Sequence, residues 1–377
     1  MSVLNFFQCY LFAWAFWTSL TVGCVGLLCL HHAVKASWAL PILRVLESGA
    51  KLIPIMGLLF IPIIMQVFFR IGGDLYPWTN TAAFAKDPVL KHHAEIFSNP
   101  LWFLIRNVIY FSVWTAFTYV LTASEIKQDK TGDLALGERR ASMGAWGIVL
   151  TTITVTFAWT DWVMSLDPHW YSTMFGAWFL ICGSMNALAF AVIYVTRRAV
   201  KGEQPWVEAC SWQFRKDVGS LLLMFAMIWA YFSLSQFLII WSGNLPEDNT
   251  YYTVRFNDRV LDIMGGFLIF SQWLFPFIAL LAPKTKRATK LLYGIAIWII
   301  CTRFIDVYWT IMPFFMKATG RHTEPLSVPM ALLALGLGLV GGIGWVMAMT
   351  ANMKKVAPLP THDPRLQEFM EATGHAA

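Results

Sequence analysis

The chain has little charge and little that would keep it in water. Asp, Glu, Lys and Arg make up 13% of its 377 residues, whereas a soluble domain carries roughly 25%. Hydrophobic residues make up 57%, in runs of about 20 residues, the length that crosses a bilayer. A water-soluble fold is therefore excluded. The net charge of +6 does not indicate nucleic-acid binding, because the basic residues lie in loops between apolar runs and not on one soluble face.

The sequence also lacks motifs that bind redox metals. Its cysteines form no CxxC or CxxCH pattern, which argues against an iron–sulfur cluster, a zinc site or attached c-type haem. Histidines paired inside facing spans, as a membrane b-type haem requires, are missing too. We therefore expect no haem or iron–sulfur cluster bound by this chain, and packed, inert thiols at Cys9, Cys24, Cys29, Cys182, Cys210 and Cys301.

Long apolar runs predict an all-α, polytopic transmembrane helix bundle with nine spans. The predicted ranges are 5–32, 50–70, 100–124, 141–166, 170–196, 217–243, 259–282, 290–315 and 326–351. Pro54, Pro62 and Pro276 should bend the second and seventh spans, because proline removes a backbone donor. The glycine-rich stretch 336–344 gives the ninth span a small face for close helix packing.

Basic residues are distributed unequally between the two sides of this nine-span arrangement. Most Lys and Arg residues fall in alternate loops on one side, and Arg106 and Arg303 lie within spans. The positive-inside rule then predicts a cytoplasmic C-terminus and an outer Met1. The first span begins almost at Met1 without a signal-peptide pattern. We therefore expect either a very short translocated tail or the absence of a preceding helix.

Ionisable and amide groups inside the spans are candidate functional residues, because they are expensive in a bilayer. Arg303 and Asp306 are three residues apart, so they share a helical face and can form a structural salt bridge or part of a site. If several carboxylates and guanidinium groups meet in one pocket, they could hold a quinone head group or relay protons. The groups predicted in the outer half are Arg106, Asp161, Gln236, Asp262, Gln272, Arg303 and Asp306.

A second polar set lies towards the predicted cytoplasmic side. His31 and His32 end the first span, and Glu47 and Lys51 open the second. These residues form either an inner proton entry or a solvated helix end. The inner candidates are His31, Glu47, Lys51 and Asp217, with His32 and Glu125 at similar depth. Among the 19 tryptophans, we interpret one group as anchors at the membrane interface: Trp14, Trp17, Trp159, Trp162, Trp170 and Trp241.

Five strings resemble a known family over about residues 5–350. They are FAWTDWVMSLDPHWYSTMFGAWF, YFSLSQFLIIWSGNLPEDNTYY, CTRFIDVYWTIMP, LFAWAFWTSLTVGCVGLLCLHHAVKASW and the outer-loop string DLYPWTNTAAFAKDPVLKHHAEIFSNP. They look like segments of the ActF subunits of alternative complex III, which resemble the NrfD and polysulfide-reductase membrane subunits. Members of this family typically have ten spans with both ends cytoplasmic, so this chain lacks the counterpart of the first.

The resemblance implies a membrane subunit of a quinol:cytochrome c oxidoreductase in a bacterial inner membrane. Its partners would be haem c and iron–sulfur subunits and a second NrfD-like subunit, and its ligand would be a quinone, menaquinone or ubiquinone. It also implies two four-helix bundles (1–166 and 167–316), a peripheral helix (317–351) and a cytoplasmic tail (352–377). Such complexes contain two subunits of this kind, and the better-supported quinol site belongs to the other one.

Three functions remain open at this point. The chain could contribute a quinone pocket, a proton-conducting path or both to such a complex, with no catalysis of its own. It could instead be a stand-alone secondary transporter or proton channel, which also needs membrane carboxylates. It could finally be a purely structural anchor of the complex.

Overall fold

A computed structural model describes residues 2–80, 99–318, 327–360, 362–366 and 369, and no strand occurs among them. Residues 81–98 of the outer-loop string, and most of the predicted tail beyond residue 360, lie outside this part of the chain. The predicted fold class is confirmed: the chain is an all-α, polytopic bundle. Nine helices of the described part are long and apolar enough to cross a membrane.

We number these spans α1 to α9 in chain order. They are Val3–Val34, Ser37–Phe69, Pro100–Thr131, Ala135–Leu166, Phe175–Val200, Trp212–Gly243, Arg259–Leu281, Thr289–Met316 and Val328–Met353. Short helices Pro246–Asn257 and Pro283–Arg287 join α6 to α7 and α7 to α8. We use "inner end" for the side at which α1, α3 and α5 finish, which the charge pattern assigns to the cytoplasm.

Three spans are longer at their inner ends than the sequence predicts. The second begins at Ser37 and not at 50, the third continues to Thr131, and the fourth begins at Ala135. The added turns contain charged side chains, which a hydropathy pattern assigns to loops. In the structure four of these charges are buried and paired: Arg44 with Glu47 inside α2, and Arg140 of α4 with Glu125 of α3. Paired charges can lie inside a helical bundle at a much lower cost than single ones.

The predicted interruption of α2 is confirmed. It consists of a 3-10 turn followed by helices Leu43–Ala50, Ile53–Leu58 and Ile61–Phe69, and a proline is the second residue of each of the last two. The breaks release backbone carbonyls from the helical ladder. The Tyr10 hydroxyl donates to the Leu59 carbonyl at 2.6 Å, and the Trp14 indole donates to the Met56 carbonyl at 2.9 Å. Side chains of α1 therefore supply hydrogen bonds to the backbone carbonyls that the breaks in α2 leave unpaired.

Helix α1 lies at the centre of the molecule. Its most extensive contacts are with α5, and it also packs against α2, α4 and α9. Helices α3 and α4 pack together, whereas α5 packs against α6 and α8. We call α1–α4 the first group and α5–α8 the second group; α1 and α4 of the first group both pack against α5 of the second.

Helix α9 packs on the outside of α1. Trp17 donates to the Gly338 carbonyl at 2.9 Å, and Trp345 donates to the Thr21 hydroxyl at 2.8 Å. A Cβ on Gly338 would lie 2.5 Å from the Phe304 ring. The glycine-rich stretch therefore does provide the small face predicted for it.

The interpretation of the six tryptophans as interface anchors is wrong for four of them. Trp14, Trp159, Trp162 and Trp170 are buried, whereas Trp241 is exposed. Two of these indoles donate inside the protein, Trp14 to the Met56 carbonyl at 2.9 Å and Trp162 to the Asn107 amide oxygen at 2.6 Å. Burying an indole costs little free energy when its N–H is hydrogen-bonded and its rings pack against other aromatic side chains.

Of the six cysteines, five are buried free thiols and Cys301 is exposed.

Candidate functional site

A cavity of about 690 Å³ lies between the outer halves of α6 and α7. Trp178 of α5 and Asp306 and Trp309 of α8 form part of its wall. The short helix Pro246–Asn257 contributes Tyr251, so the helix that joins α6 to α7 bounds the outer end. The cavity is thus built from all four spans of the second group and from the connection between two of them.

The shape of α7 helps to form this cavity. Helix α6 packs against the segments Ile269–Leu274 and Phe275–Leu281 of α7, and the first of these is π-helical. Such turns disturb the regular side-chain spacing and frequently occur at functional sites. Tyr231 and Ile269 line the cavity and are also exposed on the apolar surface of the bundle. The cavity therefore opens sideways, towards the membrane.

A buried carboxylate lies at the bottom of the cavity. One oxygen of Asp306 accepts a hydrogen bond from the Trp229 indole at 2.9 Å and another from the guanidinium of Arg303. The Arg303 and Asp306 side chains are 0% and 1% exposed. The predicted pairing of these two residues is confirmed. Of the two, Asp306 lines the cavity, so a polar ligand inside it would lie beside this carboxylate.

Two further candidates from the sequence line the same cavity. Asp262 lies in the first turn of α7 and is exposed, so it stands at the rim. The Gln236 amide oxygen accepts a bond from the Ser172 hydroxyl at 3.3 Å, which ties α6 to the loop between α4 and α5. The structure therefore brings Gln236, Asp262 and Asp306 to one cavity.

Several polar atoms at the cavity have no hydrogen-bond partner in the described part of the chain. They include the indole nitrogens of Trp178 and Trp273 and the hydroxyl of Ser233, all on cavity-lining residues. Gln272, adjacent to Trp273 and fully buried, has neither amide atom bonded there. Buried donors are normally satisfied in a native structure. A ligand with acceptor oxygens, or water, would satisfy the indoles.

A buried cation lies behind the outer end of the cavity. The Arg255 guanidinium stacks 3.5 Å from the Tyr251 ring centroid and donates to the Tyr251 and Thr310 carbonyls at 2.5 and 2.8 Å. Burial lowers the pKa of Arg255 and raises the pKa of Tyr251. The phenol is thus protonated at neutral pH, and the wall of the cavity next to it carries positive potential.

Arg106 and Asp161 form a separate cluster between α3 and α4. The guanidinium donates to both carboxylate oxygens at 2.7 and 2.8 Å, and the Tyr110 hydroxyl donates to one of them at 2.8 Å. Neither residue lines the cavity between α6 and α7. The two carboxylates at similar predicted depth, Asp161 and Asp306, therefore do not line the same cavity. Two residues at the same depth in the bilayer can face different neighbouring helices, so depth alone does not bring their side chains together.

At the inner end, Arg44 joins two carboxylates. It donates to Glu47 at 2.7 Å, one helical turn away in α2, and to Asp129 in α3. Close by, Arg140 of α4 lies 2.7 Å from a Glu125 oxygen and donates to the Gln128 amide oxygen at 2.5 Å. These ion pairs link α2, α3 and α4, and the side chains of the two arginines and the two glutamates are almost fully buried.

The two histidines of α1 face this inner cluster. Both are buried, and their rings lie 4.9 Å apart. Neither ring nitrogen of His31 makes a hydrogen bond of good geometry to a described residue, and Nε2 of His32 makes none either. The charges of Arg140 and Arg365 act on both rings. Unbonded buried polar atoms of this kind are the usual sites of internal water.

Lys51 and Asp217 are the outlying members of the predicted inner set. Lys51 is partly buried and interacts electrostatically with Glu47. The Asp217 carboxylate instead accepts two hydrogen bonds from Gln213 of its own helix, at 2.9 and 3.0 Å. The structure therefore groups His31, Glu47 and Lys51, and leaves Asp217 on another part of the inner surface.

Sequence reasoning missed many of the residues that complete these sites. Arg44, Asp129 and Arg140 fall outside the predicted spans, because a hydropathy pattern excludes charged stretches. Trp178, Trp229 and Trp273 carried no signal beyond their aromatic character. Tyr110 lies four residues after Arg106, on the same helical face, and this spacing was the one indication in the sequence that Tyr110 belongs to the Arg106 cluster.

No family model matches the chain, and no curated protein matches it either.

Proposed function

We propose that the chain is a membrane subunit of a quinol:electron-acceptor oxidoreductase complex and that the cavity between α6 and α7 binds the quinol head group. The observation that carries this proposal is the cavity itself. It is mostly apolar, it opens towards the membrane, and it has a buried carboxylate and unbonded indole donors on its wall. Ligand sites commonly combine an apolar lining with a few placed polar groups.

The polar groups suit the two oxidation states of such a ligand. Asp306 can accept a hydrogen bond from a quinol hydroxyl. The indole N–H groups of Trp178 and Trp273 can donate to the carbonyl oxygens of the quinone. The isoprenoid tail would leave through the side opening near Tyr231 and Ile269.

Quinol oxidation releases electrons and protons. We propose that the electrons pass to haem c and iron–sulfur groups of partner subunits, and that cytochrome c is their acceptor. Asp262 stands at the rim of the cavity on the side of the Pro246–Asn257 helix, where it can pass protons outward. The proposed location is a bacterial inner membrane, with the C-terminus in the cytoplasm.

A proton path from the inner side is a second candidate role. It is supported by the burial of His31 and His32 within the field of Arg140, the partner of Glu125, and by the Nε2 atoms of both rings, which make no hydrogen bond to a described residue. Internal water between such groups can carry protons across the inner half of α1, α2, α3 and α4. This role and quinol binding involve different helix groups, so they can be tested separately.

Purification of the tagged chain in mild detergent, with optical haem spectra and quinol:cytochrome c activity, tests the proposal. Asp306→Asn should lower kcat on the order of a hundredfold, because the proton acceptor is lost. Trp178→Phe removes one donor and should raise KM for quinol about three- to tenfold. Asp217→Asn is the matched control and should change neither.

The same assay separates the remaining alternatives. Glu125→Gln should lower proton uptake from the inner side and leave electron transfer unchanged if the second role holds. Full activity in both Asp306→Asn and Trp178→Phe would contradict the quinol site and support a structural anchor. Purification without any haem-containing partner would contradict the complex and favour a stand-alone transporter. Variants are compared only if their unfolding midpoints in detergent match the wild type.

A further inference from the structure

Five basic residues gather at the inner ends of α6, α7 and α8. Three of them lie in the short helix Pro283–Arg287, one follows in the first turn of α8, and one lies in the first turns of α6. We name this group the α6–α8 basic patch: Lys216, Lys284, Lys286, Arg287 and Lys290. It lies on the other helix group from the inner ion-pair cluster.

The patch is held in place by packing. A Cβ on Gly219 of α6 would lie 3.1 Å from Cγ of Lys286, so the stem of the lysine rests on this glycine. The Lys286 ammonium donates to the Ser220 hydroxyl at 3.1 Å. The Arg287 guanidinium lies over the Trp212 ring, 5.2 Å from its centroid. Two of the cations are therefore fixed on the surface of α6.

Within the described residues, the five charges of the patch form no salt bridge, whereas Arg44, Arg140 and Arg365 are each paired. The charge of Lys216 acts on the Asp217 carboxylate, whose two oxygens accept bonds from Gln213. Burial and the charge of Lys216 lower the pKa of Lys286. The patch is therefore a concentration of positive charge that no salt bridge to a described residue neutralises.

An apolar surface adjoins the patch on its membrane side. Ile278 and Leu281 of α7 and Leu291 of α8 are 60%, 59% and 55% exposed. They lie within one or two helical turns of Lys284 and Lys290 along the chain. Positive charge at the interface beside exposed aliphatic side chains matches the two parts of a phospholipid.

We propose that the α6–α8 basic patch binds the phosphate of an anionic phospholipid, with its acyl chains on the aliphatic surface of α7 and α8. Basic pockets between transmembrane helices recognise such head groups through charge and hydrogen bonds. Trp212, at the same level, is of the type that lies at the head-group region. The proposal does not depend on the proposed quinol site, which lies in the outer half of the same helices.

Lipid binding by the purified full chain, with whatever proteins accompany it, tests this proposal. The chain is delipidated in detergent and titrated with phosphatidylglycerol or with phosphatidylcholine of the same acyl chains, and bound lipid and the unfolding midpoint are measured. The wild type should prefer phosphatidylglycerol. The triple variant Lys284→Gln, Lys286→Gln, Arg287→Gln should bind it about tenfold more weakly or worse.

Two matched variants keep the test specific. Lys127→Gln, Lys130→Gln, Arg139→Gln removes the same charge from exposed positions at the inner ends of α3 and α4 and should stay within about twofold of the wild type. The charge-conserving variant Lys284→Arg, Lys286→Arg, Arg287→Lys should retain the preference for phosphatidylglycerol. This result would show that the weaker binding of the glutamine variant comes from lost charge and not from misfolding.

Four results would overturn the proposal. The first is equal affinity for both lipids. The second is an equal loss in the α3–α4 control, because binding would then follow overall charge. The third is an equal shift of the unfolding midpoint by inorganic phosphate alone, which would indicate a free-anion site. The fourth is unchanged lipid binding in the patch variant together with loss of an accompanying protein, which would make the patch a protein interface.

Discussion

At the scale of single residues, buried charges determine much of the local structure. Arg106, Asp161 and Tyr110 satisfy one another between α3 and α4, and Arg44 and Arg140 do the same for acidic groups at the inner end. Removing both partners of such a pair can cost little. Removing one partner costs much more, because it leaves a buried charge without compensation.

Arg106→Leu tests this reasoning. The Asp161 side chain is 1% exposed, so we expect the variant to lose about 3–5 kcal/mol of stability. Lys35 and Glu138 form an exposed pair, with side chains 46% and 75% exposed, and Lys35→Met should change stability by less than about 0.5 kcal/mol. Unfolding midpoints in detergent provide the comparison.

A double variant completes the residue-scale test. Arg106→Leu with Asp161→Leu should recover a large part of the loss, because no buried charge remains. If the double variant were as unstable as Arg106→Leu alone, the cost would come from lost packing of the arginine stem and not from the unpaired carboxylate.

At the scale of helices, the contact between α1 and α5 holds the two helix groups together. A Cβ on Gly23 would lie 2.0 Å from the Gly183 carbonyl oxygen, and one on Gly183 would lie 2.3 Å from the Ser19 carbonyl oxygen. The two backbones therefore approach as closely as glycine permits. Small residues at a crossing allow this in membranes, where van der Waals packing and not water exclusion drives association.

Gly23→Ala should therefore separate the two helices and destabilise the protein by at least about 2 kcal/mol. Gly294→Ala is the matched control, because nothing lies within 4 Å of a Cβ there. This residue is exposed inside α8, so alanine should be neutral or stabilising by about 0.5–1 kcal/mol. Thermal unfolding in detergent measures both, and equal midpoints for the two variants would argue against the close α1–α5 contact.

At the scale of the whole molecule, the end of the described chain returns to the inner cluster. The Gln128 amide donates to the His362 carbonyl at 3.1 Å, and Leu359 and Phe369 are buried. Asp363 is paired with Arg365, and the charges of both act on His31. Residues that follow α9 thus cover the inner ends of α1, α3 and α4, although these helices are far from them in sequence.

This docking should weaken in acid. Burial raises the pKa of Asp363, but the hydrogen bonds and charge of Arg365 outweigh it and hold the pKa below its usual value of 3.8. A lowered folded-state pKa means that the carboxylate stabilises docking at neutral pH and that this contribution is lost as the pH falls below about 4. Hydrogen-exchange protection of residues 362–366 should fall in that window.

The Asp363→Asn variant provides the control for the pH dependence. It should show weak protection of the same segment already at pH 7 and little further change in acid, whereas α5 should stay protected in both proteins. A wild-type tail equally protected at pH 7 and pH 3 would contradict the role of Asp363.

The sequence predicts the elements of this fold well and the site only in part. Nine spans, the interruptions of α2 and the pairing of Arg303 with Asp306 follow from patterns within one helix. The burial of Trp14 and Trp162, the inner extensions of α2 to α4, and the separation of Asp161 from Asp306 do not. Each depends on which helix lies opposite, and a single sequence contains no such information.

The sequence by itself determined that this protein is an all-α membrane bundle. Hydrophobicity and length are local properties, and a run of about 20 apolar residues has only one stable form in a bilayer. Only the tertiary structure decided that Trp229 meets Asp306 and Arg140 meets Glu125, and that α6 and α7 enclose a cavity. The physical reason is that the rotation of each helix about its own axis, and the helices it packs against, depend on contacts between residues far apart in the sequence.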